Sequence, residues 1–363
     1  MGAPRQIKIG ILTAPHIEYE LRARTFVLKR VRIGIGFHWD RREDQEFQGA
    51  LSIRNNADGT QTAINTIDLE DYLCSVISSE MNADSPMELL KAHAVISRSW
   101  AMLAMQHPNH EGYDVCADDH CQRYEGIRRM NERAVEAVRA TAGQVLTNEQ
   151  MVNGKMVNLI CDTRYHKCCG GRTEIWSTCW EDIDVPYIRS VECPYCNPSY
   201  INKSLVDGTS LLRTCLNDYD RETEDFHDWQ VTYTADELAQ IIRAKSGIDF
   251  GEIIDLVPLH RGPSGRIDSL RIVGTRHTET IGKELKIRLW LSPTCLYSSW
   301  FDVKKTFAPS SIRPLTFTFN GHGWGHGAGL CQIGAAVMAA EGHSYEEILH
   351  YYYANTRLGV AAQ

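Results

Sequence analysis

A helix is predicted by the segment Asp68-Leu-Glu-Asp-Tyr-Leu-Cys-Ser-Val-Ile-Ser-Ser-Glu80-Met81, where the apolar pattern changes from a two-residue to a helical period. Asp68 is its predicted N-cap. Glu80 follows Leu69 by eleven residues, which at about 100° per residue leaves it only about 20° from the apolar face. The sequence therefore directs a carboxyl group towards the core side of this helix. The apolar residues of that face are Leu69, Tyr72, Leu73, Val76 and Ile77.

Glu80 is the candidate general acid. Burial disfavours the charged form of a carboxyl group and raises its pKa, as a proton donor working near neutral pH requires. Two alternatives stay open from the residues alone. The helix ends at Ser78 or Ser79, or Glu80 pairs with a buried arginine.

A second helix is predicted to follow directly. Ser85, Pro86 and Glu88 have the spacing of a capping box with proline at the first helical position. Arg98 falls on the face opposite the apolar stripe, where it is placed to reach an oxygen atom beside Glu80. A solvated arginine is the alternative.

The remaining pattern predicts an α+β fold of mixed helices and antiparallel strands. Strand-like and helical segments do not alternate regularly, which argues against a doubly wound α/β sheet. We expect a β-rich segment at 1–64, a catalytic unit at 65–357 and an irregular surface insertion at about 195–228. Further elements are predicted as a helix at about 131–142, a strand pair at 143–161, a helix at 235–247, a strand at 269–273 and two C-terminal helices.

Composition excludes several protein classes. The 363 residues are 43% hydrophobic and 23% charged, as in an ordinary soluble globular protein with room for two or three domains. The formal net charge of -8 argues against a nucleic-acid partner. No window approaches about 20 uninterrupted apolar residues, so we expect no membrane span. The first thirty residues mix charged with apolar side chains, so we expect no signal peptide within them.

The 12 cysteines and 14 histidines are the unusual feature of the composition. His110, Cys116, His120 and Cys121 fall within twelve residues and offer two thiolates and two imidazoles, a set that suits tetrahedral zinc. With all four positions filled, such a zinc is structural. A disulfide between Cys116 and Cys121, or free thiols, are the alternatives.

A second cysteine motif, Cys193-Pro-Tyr-Cys196, is half a zinc site or a redox pair. Its partner for a metal is predicted to be Cys179 or Cys215. An oxidised or idle loop is the alternative.

A glycine-rich loop near the C-terminus reads Gly321-His322-Gly-Trp-Gly325-His326-Gly327-Ala-Gly329-Leu-Cys331-Gln332. Its five glycines disfavour a helix, so His322 and His326 are not a metal pair on a helical face. Trp324 offers a flat surface for stacking on a sugar. The alternative is a tight packing turn with incidental histidines.

Several further segments form a recognisable series over roughly residues 48–357. They are Leu69-Glu-Asp-Tyr-Leu, Ser79-Glu80-Met81, Pro86-Met-Glu-Leu-Leu-Lys-Ala-His-Ala-Val-Ile-Ser-Arg98-Ser-Trp, Tyr165-His166-Lys-Cys-Cys-Gly170-Gly171-Arg-Thr173, Ser264-Gly-Arg266 and Gly325-His326-Gly-Ala-Gly-Leu-Cys-Gln332-Ile-Gly-Ala-Ala. In this order the segments resemble the SpoIID/LytB family. The chain departs from the family pattern at Lys167-Cys168-Cys169 and at Cys331.

The resemblance implies a lytic transglycosylase that cleaves peptidoglycan glycan strands outside the cytoplasm, with a preference for strands poor in stem peptides. It assigns Glu80 as the catalytic acid and Arg98 as its support. It also implies a zinc ion on two cysteines and two histidines, which match His110, Cys116, His120 and Cys121. The residues expected to position glycan are Tyr165, His166, His322, Trp324, His326 and Gln332.

Two other functions fit the same residues. Some relatives enhance a cell-wall amidase, so a glycan-binding or amidase-binding module without catalysis is the principal alternative. A zinc hydrolase that uses His322 and His326 is the second.

Overall fold

The computed structural model describes residues 5–35, 40–82, 84–118, 120–204, 211, 227–309 and 311–361. Helices and mainly antiparallel strands are mixed along this part of the chain, which confirms the predicted α+β class. The strands are β1 (Gln6–Ala14), β2 (Tyr19–Leu21), β3 (Thr25–Ile33), β4 (Arg41–Gln48), β5 (Ala50–Asn55), β6 (Gln61–Asp68), β7 (Val115–Cys116), β8 (Gln144–Val152), β9 (Lys155–Ile160), β10 (Tyr165–His166), β11 (Asp228–Thr234), β12 (Ile253–Arg261), β13 (Ile267–Gly274), β14 (Thr278–Ile281), β15 (Phe301–Phe307), β16 (Pro314–His322), β17 (Leu330–Cys331) and β18 (Arg357–Val360). The α-helices are α1 (Leu69–Glu80), α2 (Met87–Gln106), α3 (Glu132–Ala140), α4 (Trp176–Cys179), α5 (Pro198–Ser204), α6 (Ala235–Ser246), α7 (Glu284–Trp290), α8 (Gln332–Ala340) and α9 (Tyr345–Tyr352).

The N-terminal strands form two sheets that lead into the first helix. One sheet has the order β5-β6-β1-β7, and the other has the order β2-β3-β4. β6 ends at Asp68, whose side chain accepts a hydrogen bond from the Glu70 backbone N–H and so caps α1, as predicted. The predicted division between residues 64 and 65 lies within β6 and stays a prediction.

The start of α2 differs from the predicted capping box. The helix begins at Met87, and Pro86 occupies the N-cap position without a side-chain hydrogen bond. Glu88 binds Lys91 Nζ at 2.7 Å and accepts the Tyr345 backbone N–H at 2.8 Å. This carboxylate therefore ties α2 to the start of α9 instead of closing its own helix end.

Two hydrophobic cores organise the described residues. The larger core joins the N-terminal strands to α1, α2, α3, α8 and α9. The smaller core is confined to residues between Trp229 and Phe319, under the sheets β11-β16-β15 and β12-β13-β14 and the helices α6 and α7. Of the predicted insertion at 195–228, residues 205–210 and 212–226 lie outside the described residues.

Distant parts of the chain meet at a short parallel pairing of β10 with β17. Tyr165 pairs with Leu330, and His166 pairs with Cys331. This pairing places the loop after β10 beside the glycine-rich loop. None of the helices in the described ranges is long and apolar enough to cross a membrane.

Candidate active site

Glu80 is the last residue of α1, and its side chain is only partly buried. Its Oε1 accepts hydrogen bonds from the Arg123 backbone N–H at 3.1 Å and from Tyr165 Oη at 3.0 Å. The rest of the helix is anchored by its buried face, so the carboxyl group is presented at a fixed place on the rim of the larger core. Among the predicted glycan-positioning residues, Tyr165 contacts Glu80 directly through this hydrogen bond.

The segment that supplies the Arg123 donor runs alongside the end of α1. The Glu125 N–H donates to Ser79 Oγ at 3.2 Å, and Tyr72 Oη donates to Gln122 Oε1 at 3.1 Å. These bonds fix the backbone on both sides of Arg123. The direction of the Arg123 N–H towards Glu80 is therefore set by packing against α1.

The ring of Tyr165 packs against His93, a buried and neutral histidine. The His93 ring meets the Tyr165 ring edge-on, with the ring centroids 4.5 Å apart. Burial, with a smaller contribution from Lys167, lowers the pKa of His93 to about 3. Gln332 Nε2 donates to His93 Nε2 at 3.0 Å, which leaves the His93 proton on Nδ1, facing Ser97 Oγ at 3.2 Å. Gln332 thus acts on the site through His93.

The four predicted zinc ligands lie together. One ligand atom from each of His110, Cys116, His120 and Cys121 falls within 4.8 Å of the other three. His110 Nε2 is 3.2 Å from Cys121 Sγ, and His120 Nδ1 is 3.5 Å from the same sulfur. A tetrahedral zinc with ordinary bond lengths separates sulfur and nitrogen ligands by about 3.6 Å. The residues present therefore fit the metal that the donor set calls for.

Thiolate character is favoured at one cysteine of this cluster, Cys116. Hydrogen bonds from the Cys121 thiol and from His120 lower the pKa of Cys116. Both cysteines are free thiols, so the alternative of a disulfide between them is not what the structure contains. Cys121 lies two residues before Arg123, which links this cluster to the backbone that binds Glu80.

Arg98 is not beside Glu80, and the predicted contact is corrected. The side chain is buried, and its Nε and Nη2 donate to the Glu70 carboxylate at 2.8 and 2.7 Å. The remaining N–H groups face backbone carbonyls of Ala94, Val138 and Gln144. A guanidinium with all its donors committed in this way joins α2 to α1 and α3.

Trp324 of the glycine-rich loop was predicted to stack on a sugar, but its side chain is buried. Trp324 is only 7% exposed, and its ring meets Tyr297 edge-on with the centroids 5.0 Å apart. Its backbone N–H and C=O pair with those of Cys168. A side chain on Gly323 would approach backbone atoms of Cys168 and Cys169 to 2.8 Å, so glycine permits this close pairing. The ring is therefore a packing element and cannot stack on a sugar.

The histidines of this region have different environments. His166 is 4% exposed and donates from Nδ1 to the Ala328 carbonyl at 3.1 Å. Burial lowers the pKa of His326 well below its usual range, and its Nδ1 accepts the Ala328 N–H at 3.1 Å. His322 is more exposed, and it binds Asp228 Oδ1 through Nδ1 at 2.5 Å.

Residues that the sequence reasoning left without a role hold these loops together. Arg266 is fully buried and donates to the carbonyls of Gly325 and Cys169, both at 3.2 Å. The cysteine pair at 193–196 does not gather with Cys179, one of its two predicted partners, which donates to the His326 carbonyl at 3.3 Å. The other predicted partner, Cys215, lies outside the described residues. The side chains that gather as a possible metal-binding cluster are Cys169, Cys193, Cys196 and Cys331.

Comparison with known proteins places these features in a family context. Residues 57–148 match the family model described as stage II sporulation protein, and residues 174–329 match one described as domain of unknown function (DUF8618). An uncharacterized protein of Brachyspira hyodysenteriae is 30% identical over 309 residues, covering 85% of this chain and 71% of that protein. Stage II sporulation protein D of Bacillus subtilis is 24% identical over 317 residues, covering 82% of this chain and 76% of that protein. The amidase enhancer of the same bacterium is 26% identical over 314 residues, covering 79% of this chain but only 40% of that protein.

Proposed function

The chain belongs to the SpoIID/LytB family, and we propose that it is a lytic transglycosylase that cleaves peptidoglycan glycan strands outside the cytoplasm. The bond broken joins N-acetylmuramic acid to N-acetylglucosamine. The product carries a 1,6-anhydro ring on the muramic acid. Strands poor in stem peptides are the proposed substrate class.

The observation that carries this proposal is the pair of hydrogen bonds that fixes Glu80 at the end of α1. A glycosidase that uses water normally needs two carboxyl groups, one as acid and one as base or nucleophile. A transglycosylase can work with one, because a hydroxyl of the substrate replaces water. A single, well-oriented carboxyl group such as Glu80 therefore suits this reaction.

In the first step Glu80 donates its proton to the glycosidic oxygen while positive charge develops on the muramoyl C1. Glu80 Oε1 already accepts hydrogen bonds from the Arg123 N–H and from Tyr165 Oη, and this favours Oε2 as the oxygen that carries the proton. The carboxylate then takes the proton of the muramoyl C6 hydroxyl, whose oxygen bonds to C1. Because this attack is intramolecular, it gains from proximity and returns the proton to Glu80 for the next turnover.

Tyr165 and Arg123 act as positioning residues in this scheme. They approach the same oxygen of Glu80 from different segments, β10 and the loop that follows Cys121. Two donors of fixed direction restrict the rotation of the carboxyl group. Each bond is expected to contribute to the rate through orientation, and not by proton transfer to the sugar.

His110, Cys116, His120 and Cys121 are proposed to hold a structural zinc ion. When bound, that zinc supplies cross-linking and not chemistry, since four protein ligands leave no position for water. The loop that carries Cys121 then continues into the Arg123 backbone at Glu80. A zinc hydrolase at His322 and His326 is less consistent with the site, because His326 Nδ1 accepts the Ala328 N–H and the ring therefore carries its proton on Nε2, which then cannot bind a metal.

The second candidate function is an amidase-enhancing module. Its support is the similarity to the amidase enhancer of Bacillus subtilis, whose length this chain covers by only 40%. A module of this kind binds glycan strands or an amidase and needs no proton donor. It therefore predicts that Glu80 is dispensable.

Product analysis tests the proposal against this alternative. The purified protein is incubated with peptide-free and with peptide-bearing glycan strands, and the new chain ends are identified by mass spectrometry. Anhydro ends, formed faster from peptide-free strands, are the expected result. Reducing ends would contradict the mechanism. Intact strands together with faster cleavage by an added cell-wall amidase would favour the enhancer.

A further inference from the structure

Four buried cysteines from three separate segments meet behind the candidate active site. Cys169 follows β10, Cys193 and Cys196 lie at the turn of 3-10 helix Pro194–Cys196, and Cys331 ends β17. Each is at most 2% exposed, and their four sulfur atoms all lie within 4.8 Å of one another. We infer that these four thiolates bind a second zinc ion, distinct from the one proposed at His110, Cys116, His120 and Cys121.

The spacing of the sulfur atoms suits one metal ion. A zinc ion with bonds of about 2.3 Å to four thiolates separates the sulfur atoms by about 3.8 Å. The Cys169 and Cys196 sulfurs are 3.3 Å apart, and the other pairs stay below 4.8 Å. An iron–sulfur cluster spreads its cysteines farther apart, because they bind different iron atoms. The donor set and its compactness therefore favour a single tetrahedral ion.

The surroundings of Cys331 favour a thiolate over a thiol. Cys331 is the N-cap of α8, and its sulfur accepts the backbone N–H groups of Gly334 at 3.4 Å and Cys169 at 3.3 Å. Thiolates are stabilised at helix N-termini and by such donors. Tyr352 Oη lies 3.2 Å from the Cys193 sulfur, and the buried Arg266 binds the Cys169 carbonyl. These groups offset the charge that four thiolates bring to one divalent cation.

A glycine next to the cluster leaves room for it. A side chain on Gly334 would approach Tyr352 Oη to 2.3 Å and the Cys193 sulfur to 2.6 Å. Gly334 lies in the first turn of α8, and its helical backbone conformation does not itself require glycine. The close approach of α8 to Cys193 is therefore permitted by the missing side chain.

The cluster is placed to hold parts of the candidate active site. Cys169 is four residues after Tyr165, and Cys331 directly precedes Gln332, which supports Tyr165 through His93. A metal ion on both cysteines fixes β10 against β17 as a cross-link does. The zinc site itself holds whether or not the chain cleaves glycan.

Metal counting by native mass spectrometry and elemental analysis tests the inference. The wild-type protein is expected to carry two zinc ions, and the Cys193→Ser/Cys196→Ser variant one. Removing two ligands together prevents Cys168, which lies beside Cys196 and Cys331, from restoring the set. The Cys161→Ser variant is the matched control, since Cys161 is equally buried but outside the cluster, and it should keep both ions.

A second arm works even where the cluster variant fails to fold. The Cys116→Ser/Cys121→Ser variant should retain one zinc, and replacing zinc with cobalt should leave about two thirds of the wild-type thiolate-to-metal absorbance, because four of the six thiolates remain. Loss of all metal from this variant would overturn the inference. So would disulfide bonds among the four cysteines in protein whose thiols were blocked at lysis. One iron atom in place of zinc would overturn the zinc assignment.

Discussion

Tyr165 Oη donates a hydrogen bond of 3.0 Å to Glu80 Oε1, although the two residues are 85 positions apart in the chain. The bond joins the end of α1 to the short strand β10. β10 in turn pairs with β17 beside the glycine-rich loop. The candidate acid is therefore oriented by a residue that only the tertiary fold brings to it.

Tyr165→Phe removes this bond and keeps the ring that packs on His93. We expect glycan cleavage to fall by about 10- to 100-fold, because the carboxyl group loses one of its orienting donors. The melting temperature should change little. Tyr200→Phe is the control, since Tyr200 also donates to a glutamate, Glu341, and should keep full activity. Equal activity of the two variants would show that Tyr165 does not orient Glu80 for catalysis.

Arg98→Gln tests the corrected role of the buried arginine. Breaking a buried ion pair costs about 3–5 kcal/mol. The free energy of unfolding should therefore decrease, but by less than this amount, because Glu70 is 38% exposed and water can solvate its carboxylate. Arg189→Gln, which removes an exposed pair with Asp184, should cost less than about 1 kcal/mol. The folded fraction of Arg98→Gln should cleave glycan at the wild-type rate. A stable but inactive Arg98→Gln would restore the role at Glu80.

His93 predicts a pH dependence of stability. An unfolded histidine takes up a proton below about pH 6.5, whereas folded His93 stays neutral down to about pH 3. Its contribution to stability is therefore complete above about pH 6.5 and is lost as the pH falls towards 3. When the pH is lowered from about 7.5 to about 5, the free energy of unfolding, measured with urea, should decrease by about 2 kcal/mol less in His93→Gln than in the wild type. Parallel losses in the two proteins would contradict the neutral, buried histidine.

Trp324→Ala separates packing from sugar stacking. The ring is buried against Tyr297, so its removal should lower the free energy of unfolding by about 3–5 kcal/mol. Glycan affinity of the folded fraction, measured by co-sedimentation with insoluble strands, should stay within about twofold. A stable variant with weakened binding would return Trp324 to the glycan surface.

Local features of the structure were predictable from the sequence, and contacts between distant segments were not. The capping of α1 by Asp68 follows from spacing within one helix, whereas the end of the helix at Glu80 came from the structure. The grouping of His110, Cys116, His120 and Cys121 was predictable because all four lie in one loop. The cluster at Cys169, Cys193, Cys196 and Cys331 was missed, since its cysteines come from three segments and local spacing shows only one pair.

Arg98 and Trp324 show a second limit. Periodicity assigned Arg98 to the outer face of α2, but this helix packs against other elements on more than one side, and Glu70 compensates the buried charge. Trp324 was assigned to ligand binding because it stands among glycines. The glycines instead allow the backbone of Trp324 to pair with Cys168. In both cases the residue type is common at a surface or ligand site, but the side chain is buried in this fold.

The Glu80→Gln variant tests whether Glu80 is the general acid. Glutamine keeps the size of the side chain and an oxygen that can accept from Tyr165 and Arg123, but its amide is too weak an acid to transfer a proton to a glycosidic oxygen. With peptide-free glycan strands, mass spectrometry should show anhydro ends from the wild type and a loss of at least about 1,000-fold in their formation by Glu80→Gln at unchanged melting temperature. Undiminished formation of anhydro ends by Glu80→Gln would rule out Glu80 as the general acid.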